Sequence, residues 1–231
     1  MTTTLITGAN KGLGFETARR LIEAGHTVYV GARDAHRGRT AAERLGARFV
    51  QLDVTDEDSV KAAAEFVRAD AGHLDILVNN AGIVGARKPV GEVTGADMTT
   101  TYDTNVFGVV RVTHAFLPLL EASDAPVVVN VSSGLGSLAA CADPSRVEFQ
   151  VTVLDYNSSK TALVMVTSQY AKAFPAIRFN AVDPGYTATD LNGHQGTQTI
   201  EEGAEIIVRM ASIGADGPTG GFFDKTGPVI W

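Results

Sequence analysis

A short β-branched run, Thr2–Thr7, leads into the loop Thr7-Gly8-Ala9-Asn10-Lys11-Gly12-Leu13-Gly14. Apolar residues at helical spacing, Leu13, Ala18, Leu21 and Ile22, follow it. Strand, glycine loop and helix in this order leave few folds open. The arrangement begins a βαβ unit, and repeated units build a parallel sheet covered by helices on both faces. Within the loop, Gly8 permits a tight turn and Gly12 lets backbone approach a pyrophosphate. Gly14 lets the helix pack on the strand. The helix N-terminus offers free N–H groups and the positive end of a dipole to an anion. Asn10, Lys11 and Leu13 share the loop, so the whole stretch is expected against a dinucleotide.

The chain then alternates as such a sheet requires. Strand patterns cover His26–Ala32, Arg48–Leu52, Leu74–Val78, Pro126–Val131 and Ala176–Val182, with a short last strand at Gly220–Phe223. Helical patterns fall at Ala35–Leu45, Asp56–Asp70, Ala96–Leu120, Asn157–Phe174 and Ile200–Ser212. The tip of the second strand, Gly31-Ala32-Arg33-Asp34, selects the cofactor. An acid there bonds the ribose 2′-OH of NAD, whereas an arginine accommodates the 2′-phosphate of NADP. Ala32 stands where the acid is expected, Arg33 follows it, and Lys11 reaches the same corner. NADP(H) is therefore expected; NAD(H), with Asp34 on the ribose, is the alternative. Asp53-Val54 closes the third strand, and Asp53 either accepts from the adenine amino group or caps the next helix. In Asn79-Asn80-Ala81-Gly82 the amides tie the loop to neighbouring backbone, and Ala81-Gly82 leaves room for a ribose.

Tyr156 and Lys160 lie four residues apart on a helical stretch, so they share one face. A cation about 4 Å from the phenol, at an effective dielectric of about 20, is worth roughly 4 kcal/mol, or about three pKa units. Such a pairing would bring Tyr156 near 7, where a group both gives and takes a proton.

With these residues in view, the chain resembles the short-chain dehydrogenase/reductase family over nearly its whole length. The matching residues are the glycine loop, Asn79-Asn80-Ala81-Gly82, Asn105, Ser133, Tyr156 with Lys160, and Asp183-Pro184-Gly185. Their order and placement together are specific. The Asn10-Lys11 pair and Arg33 look most like the NADPH-dependent carbonyl reductases of that family. The resemblance implies one Rossmann-like domain over residues 1–231, a doubly wound parallel sheet of about seven strands. It implies a tetrad of Asn105, Ser133, Tyr156 and Lys160. Tyr156 would be the general acid in reduction and the base in oxidation. Ser133 would bond the carbonyl oxygen, Lys160 would lower the Tyr pKa and bond the nicotinamide ribose, and Asn105 would hold a relay water. Ser132 is the rival for the Ser role, and the family pattern selects Ser133. Pro184 and Gly185 would lie at the cofactor, Thr187 backbone would meet the carboxamide, and Thr189 would bond the pyrophosphate. Thr189 is otherwise a helix cap.

One departure from that pattern stands out. Ser133 and Tyr156 are 23 positions apart, where family members commonly have about a dozen residues between them. The additional residues, within Leu138–Asp155, either wall a substrate pocket with Leu138, Phe149, Val151 and Leu154 or form a surface loop. They are also placed to obstruct the helix pairing by which many family members dimerise, so a homo-oligomer is expected only if the insert permits it. Only about ten residues then separate Thr189 from the next helix, and Gly193, His194 and Gly196 suggest a mobile lid.

The implied activity is NADPH-dependent reduction of a ketone or aldehyde. Alcohol oxidation, or a non-catalytic nucleotide sensor, are the alternatives. Net charge of −7 disfavours nucleic acid and anionic membranes as partners. The single cysteine, Cys141, fits a reducing compartment, and no apolar run reaches about 18 residues. Nothing at the N-terminus reads as a leader, so a cytoplasmic protein is expected. His26, His36, His73 and His114 lack metal-ligand spacing, and Ser133 has no His or acid partner at a hydrolase spacing.

Overall fold

The computed structural model describes residues 2–231; Met1, first residue of the expected domain, lies outside the described residues. Strands β1 (Thr3–Thr7), β2 (Thr27–Ala32), β3 (Arg48–Gln51), β4 (Ile76–Asn79), β5 (Val127–Val131), β6 (Arg178–Val182), β7 (Phe222–Asp224) and β8 (Gly227–Pro228) form one sheet. Its order is β3-β2-β1-β4-β5-β6-β7-β8. Every neighbouring pair is parallel except β7 with β8, which is antiparallel. The described residues thus hold eight strands rather than about seven. The extra one is a two-residue return that opens on Gly227, at φ of +139°, too short for any periodicity to mark.

The helices are α1 (Gly12–Glu23), α2 (Ala35–Leu45), α3 (Glu57–Ala71), α4 (Gly95–Tyr102), α5 (Gly108–Glu121), α6 (Leu138–Ala142), α7 (Leu154–Ala173) and α8 (Ile200–Ala211). Strand alternation distributes the core between two faces. Leu5, Leu77 and Val128 point to the layer holding Val60 and Val67 of α3, and Val112 and Phe116 of α5. Ile6, Val78 and Val129 point to the layer holding Leu21 of α1, Ala41 of α2 and Ile207 of α8. A strand buried on both sides reads as an unbroken apolar run, and β5 is Val-Val-Val-Asn-Val. Its one polar residue belongs to a closed network. Asn79 donates to Thr113 Oγ1 and Asn130 Oδ1, and Asn130 donates to Thr167 Oγ1 at 2.8 Å.

Two elements differ from the pattern. The stretch expected as one helix from Ala96 to Leu120 is interrupted by a π-turn, Asp103–Phe107, between α4 and α5. Helix α7 starts at Leu154 rather than Asn157, so Tyr156 lies in its first turn. Local caps explain other boundaries. Asp56 accepts from Asp58 N and Ser59 N at the start of α3, and Gly72, at φ of +78°, ends it.

The chain runs outward from β1 to β3 and then returns to β4 beside β1. That reversal separates the loops after β1 and β4 and opens a crevice at the carboxyl ends of the strands.

Candidate active site

The crevice is a cleft of about 550 Å3. The loop after β1 contributes Gly8, Asn10, Lys11, Gly12 and Leu13, and the loops after β2 and β3 contribute Arg33, Asp53 and Val54. The loop after β4 adds Asn80, Ala81 and Gly82; α7 adds Tyr156 and Lys160; the segment after β6 adds Pro184 and Thr189. Gly14, Asn105, Ser133, Gly185 and Thr187 are not on its lining. A second cavity of about 610 Å3 opens beside His26, His73 and Asp75, away from all of these.

The glycine loop is built for close approach. Gly8 and Gly12 have φ of +64° and +56°, where a side chain would be strained. Gly14 sits against the loop after β4: a Cβ there would lie 2.5 Å from Asn80 Nδ2 and 2.9 Å from Gly8 O. Asn80 Nδ2 in turn donates to Thr7 O at 2.9 Å, and Thr7 Oγ1 accepts from Asn80 N and Ala81 N. Lys11 is the N-cap of α1, and its side chain makes no capping bond to the helix. The first-turn N–H groups of α1 therefore have no capping side chain and face the cleft, which is the seat an anion requires. The residues present fit a dinucleotide.

The corner beyond β2 carries Arg33, which makes no ion pair among the described residues. Asp34 is engaged elsewhere, since its carboxylate caps α2 by accepting from Arg37 N at 2.9 Å. Asp53 is not the helix cap; Asp56 is, and Asp53 Oδ1 accepts from Thr55 N and Thr55 Oγ1. Lys11 Nζ donates to Asp190 Oδ2 at 2.6 Å, so its charge already has a partner across the cleft. Arg87 likewise donates to Leu191 O. Thr189 both lines the cleft and caps the turn Asp190–Asn192. The segment after it is less loose than its glycines suggest. Thr197 N donates to Tyr186 O and Ala188 N to Gln198 O, and a Cβ on Gly196 would meet Ala188 N at 2.1 Å.

At the floor, the two serines after β5 part as strand alternation requires. Ser132 Oγ is buried and donates to Lys160 O at 3.0 Å, which pins α7 to the sheet. Ser133 hydrogen-bonds the Tyr156 side chain. Lys160 is buried; its Nζ donates to Val131 O at 2.8 Å and lies 5.5 Å from the Tyr156 ring centroid. Gly82 lies against both Asn105 and Lys160, since a Cβ there would stand 3.3 Å from Asn105 Oδ1 and 3.6 Å from that Nζ. Asn105 Oδ1 accepts from Ile83 N, and its Nδ2 donates to Ile83 O and Ser159 Oγ. The amide thus clips the loop after β4 to α7.

The phenol does not fall toward neutrality. Burial pushes Tyr156 up to about 12; the Ser133 hydrogen bond opposes this, and the Asp183 charge adds to it. Burial brings Lys160 down to about 8, and Asp183 opposes that. Desolvation of the charged form therefore outweighs the through-space help expected from spacing alone.

The insert holds α6 and a single turn at Val147–Gln150. Leu138, Phe149 and Leu154 are exposed by 66%, 44% and 39%, and none of them lines the cleft. Ala140 and Asp155 are its buried residues, and the half-buried Glu148 is paired with Arg146 at 3.1 Å and close against Gly134. Sequence reasoning passed over Glu148, Asp190 and the side chain of Asp183. Only the Asp183-Pro184-Gly185 motif gave a signal for any of them.

A family model for short chain dehydrogenase matches residues 2–200. The chain belongs to that family. This dehydrogenase is 33% identical to salutaridine reductase from Papaver bracteatum, over 95% of this chain and 93% of that one. It is 31% identical to a (+)-neomenthol dehydrogenase from Capsicum annuum, over 95% and 94% of the two chains. That alignment runs over 295 residues against a chain of 231, so the pepper relative carries insertions that this chain lacks. Among solved structures, NADPH-bound carbonyl reductase from chicken fatty liver superposes with a TM-score of 0.88 at 26% identity, over 100% and 99% of the chains. The protein is an NAD(P)-dependent oxidoreductase. None of its helices, among the described residues, is long and apolar enough to cross a membrane.

Proposed function

We propose that this dehydrogenase uses NADPH to reduce the carbonyl group of a small ketone or aldehyde to an alcohol. The observation that carries the reading is the Tyr156 phenol lining the cleft with Lys160 Nζ 5.5 Å from its ring centroid, in a setting whose burial favours the protonated form. A group in that state is an acid at every physiological pH, which suits proton donation to a nascent alkoxide better than proton removal from an alcohol.

Bound NADPH would supply the hydride. The glycine loop and the α1 N-terminus would hold the pyrophosphate, with Gly8, Gly12 and Gly14 giving the clearance, Asn10 and Leu13 flanking it, and Thr189 closing from the other side. Arg33, with no acidic partner, would meet the 2′-phosphate. Asp53 and Val54 would border the adenine, Asn80 to Gly82 the ribose, and Pro184, Gly185 and Thr187 the nicotinamide end. Ser133 would donate to the carbonyl oxygen as negative charge develops there. Tyr156 would hand its proton to the same oxygen. Lys160 would stabilise the resulting phenolate and bond the ribose. Asn105, through Ile83 and Ser159, would keep the ribose loop and α7 in register. Relatives named salutaridine reductase and (+)-neomenthol dehydrogenase support a carbonyl or alcohol substrate.

The test is NADPH consumption against a panel of carbonyl compounds. Tyr156→Phe is expected to lower kcat by about 10²- to 10⁴-fold with nucleotide affinity kept. Wild-type turnover in that variant would end the proposal.

A further inference from the structure

Asp155 lies in the first turn of α7, directly before Tyr156, and has no part in the roles given above. Its side chain is buried, as is that of Thr101 near the end of α4. Asp155 Oδ2 accepts from Thr101 Oγ1 at 2.7 Å and from Ala86 N at 2.9 Å. It makes no ion pair among the described residues, so these two donors do for the carboxylate what water would do outside. Gly85 fits against this group because it has no side chain. At φ of +86°, a Cβ there would overlap both Asp155 Oδ2 and Thr101 Oγ1.

The carboxylate thus joins α4, α7 and the loop after β4. That loop is fastened to α7 in two places, from Ile83 through Asn105 to Ser159 and from Ala86 to Asp155. Asp155 and Ser159 are four apart and share one face of the helix, while Tyr156 and Lys160, one position on, share the next. The two turns that carry the reacting pair therefore also carry the loop.

The fastenings govern different parts of the cleft. Asn80 and Ala81 hang from Thr7 Oγ1, independently of Asp155. Ile83, Val84, Gly85 and Arg87 line the cleft, and beyond Ile83 this wall is tied down by Ala86 N to Asp155 and by Arg87 to Leu191 O. We propose that Asp155 is a positioning residue for the reduction, fixing the wall at residues 84–87 beside Tyr156 and so shaping the seat of the carbonyl substrate rather than that of the nucleotide. The inference rests on the carbonyl reading above.

Asp155→Ala removes the acceptor, and Asp155→Asn keeps one for Ala86 N. In Asp155→Ala, KM for the carbonyl is expected to rise at least about tenfold, with kcat and NADPH affinity within about threefold of native. Asp155→Asn is expected to bring that KM back to within about threefold. A role confined to starting α7 would lower the melting temperature and move kcat, KM and nucleotide affinity together. Amide exchange reads the clip without kinetics. With NADPH bound, the Ala86 N–H of the native protein is expected to exchange at least about a hundredfold more slowly than in an unstructured peptide, and to lose that protection in Asp155→Ala. Unprotected exchange at Ala86 in the native protein overturns the proposal, and this measurement decides it should Asp155→Ala fail to fold. A native carbonyl KM in folded Asp155→Ala overturns it as well, as does an Asp155→Asn enzyme impaired as much as Asp155→Ala. Native protein that protects Ala86 but consumes no NADPH with any carbonyl upholds the clip and counts against the reduction instead.

Discussion

Two adjacent serines have different work because a strand turns them to opposite sides. Ser132 fastens α7 through Lys160 O, and Ser133 meets Tyr156. That division was open to a reader of the sequence, since alternation needs only the strand boundary. The electrostatics of Tyr156 were not, because a four-residue spacing says nothing about how much water the fold removes. The side chain of Asp183 was equally hidden, because only the pairing of β5 with β6 sets it against Gly134 in the turn after Ser133. In the proposed function, cofactor choice turns on Arg33. With Asp34 committed to capping α2, no other acid at that tip competes for a ribose. Arg33→Asp is expected to raise KM for NADPH by at least about tenfold and to change KM for NADH by less than about threefold. Steady-state kinetics with both nucleotides checks this, and equal effects on the two would contradict it.

Among the elements, the α/β alternation and most helix starts were legible, because caps and apolar periods are local. The π-turn at Asp103–Phe107 was not. Its residues suit an ordinary helix, and what widens with it is a tertiary clip, Asn105 to Ile83 and Ser159. The insert read as either a pocket wall or a surface loop; Leu138 and Phe149 face outward, as the second reading has it, and the acid Glu148 turns in. The contact between the glycine loop and the loop after β4 makes its own prediction. Gly14→Ala would force a Cβ to within 2.5 Å of Asn80 Nδ2 and 2.9 Å of Gly8 O. Such overpacking costs about 1–3 kcal/mol. The melting temperature is expected to fall by about 5 °C and nucleotide affinity to weaken with it, as scanning calorimetry and a binding titration would report. A variant with native melting and affinity would show that the two loops separate freely.

At the scale of the whole molecule, the alternation gave the doubly wound parallel sheet, while the strand order and the cleft it opens came from the structure. What the pattern could not supply was the ties across that cleft. Lys11 to Asp190 joins the glycine loop to the segment after β6, and Arg87 to Leu191 joins the same segment to the loop after β4. The Lys11–Asp190 pair lies between exposed side chains, where added salt screens it. Raising ionic strength at fixed NADPH is therefore expected to speed the fluorescence-detected association step in native protein more than in Asp190→Asn, the reverse of what simple phosphate steering would give. A native rate that falls with salt as steeply as that of the variant would remove the ties from the account. If they re-form over a seated nucleotide, departure has to wait until both let go together. Nucleotide release past Asp190 and Leu191, rather than proton transfer, would then set the pace of turnover.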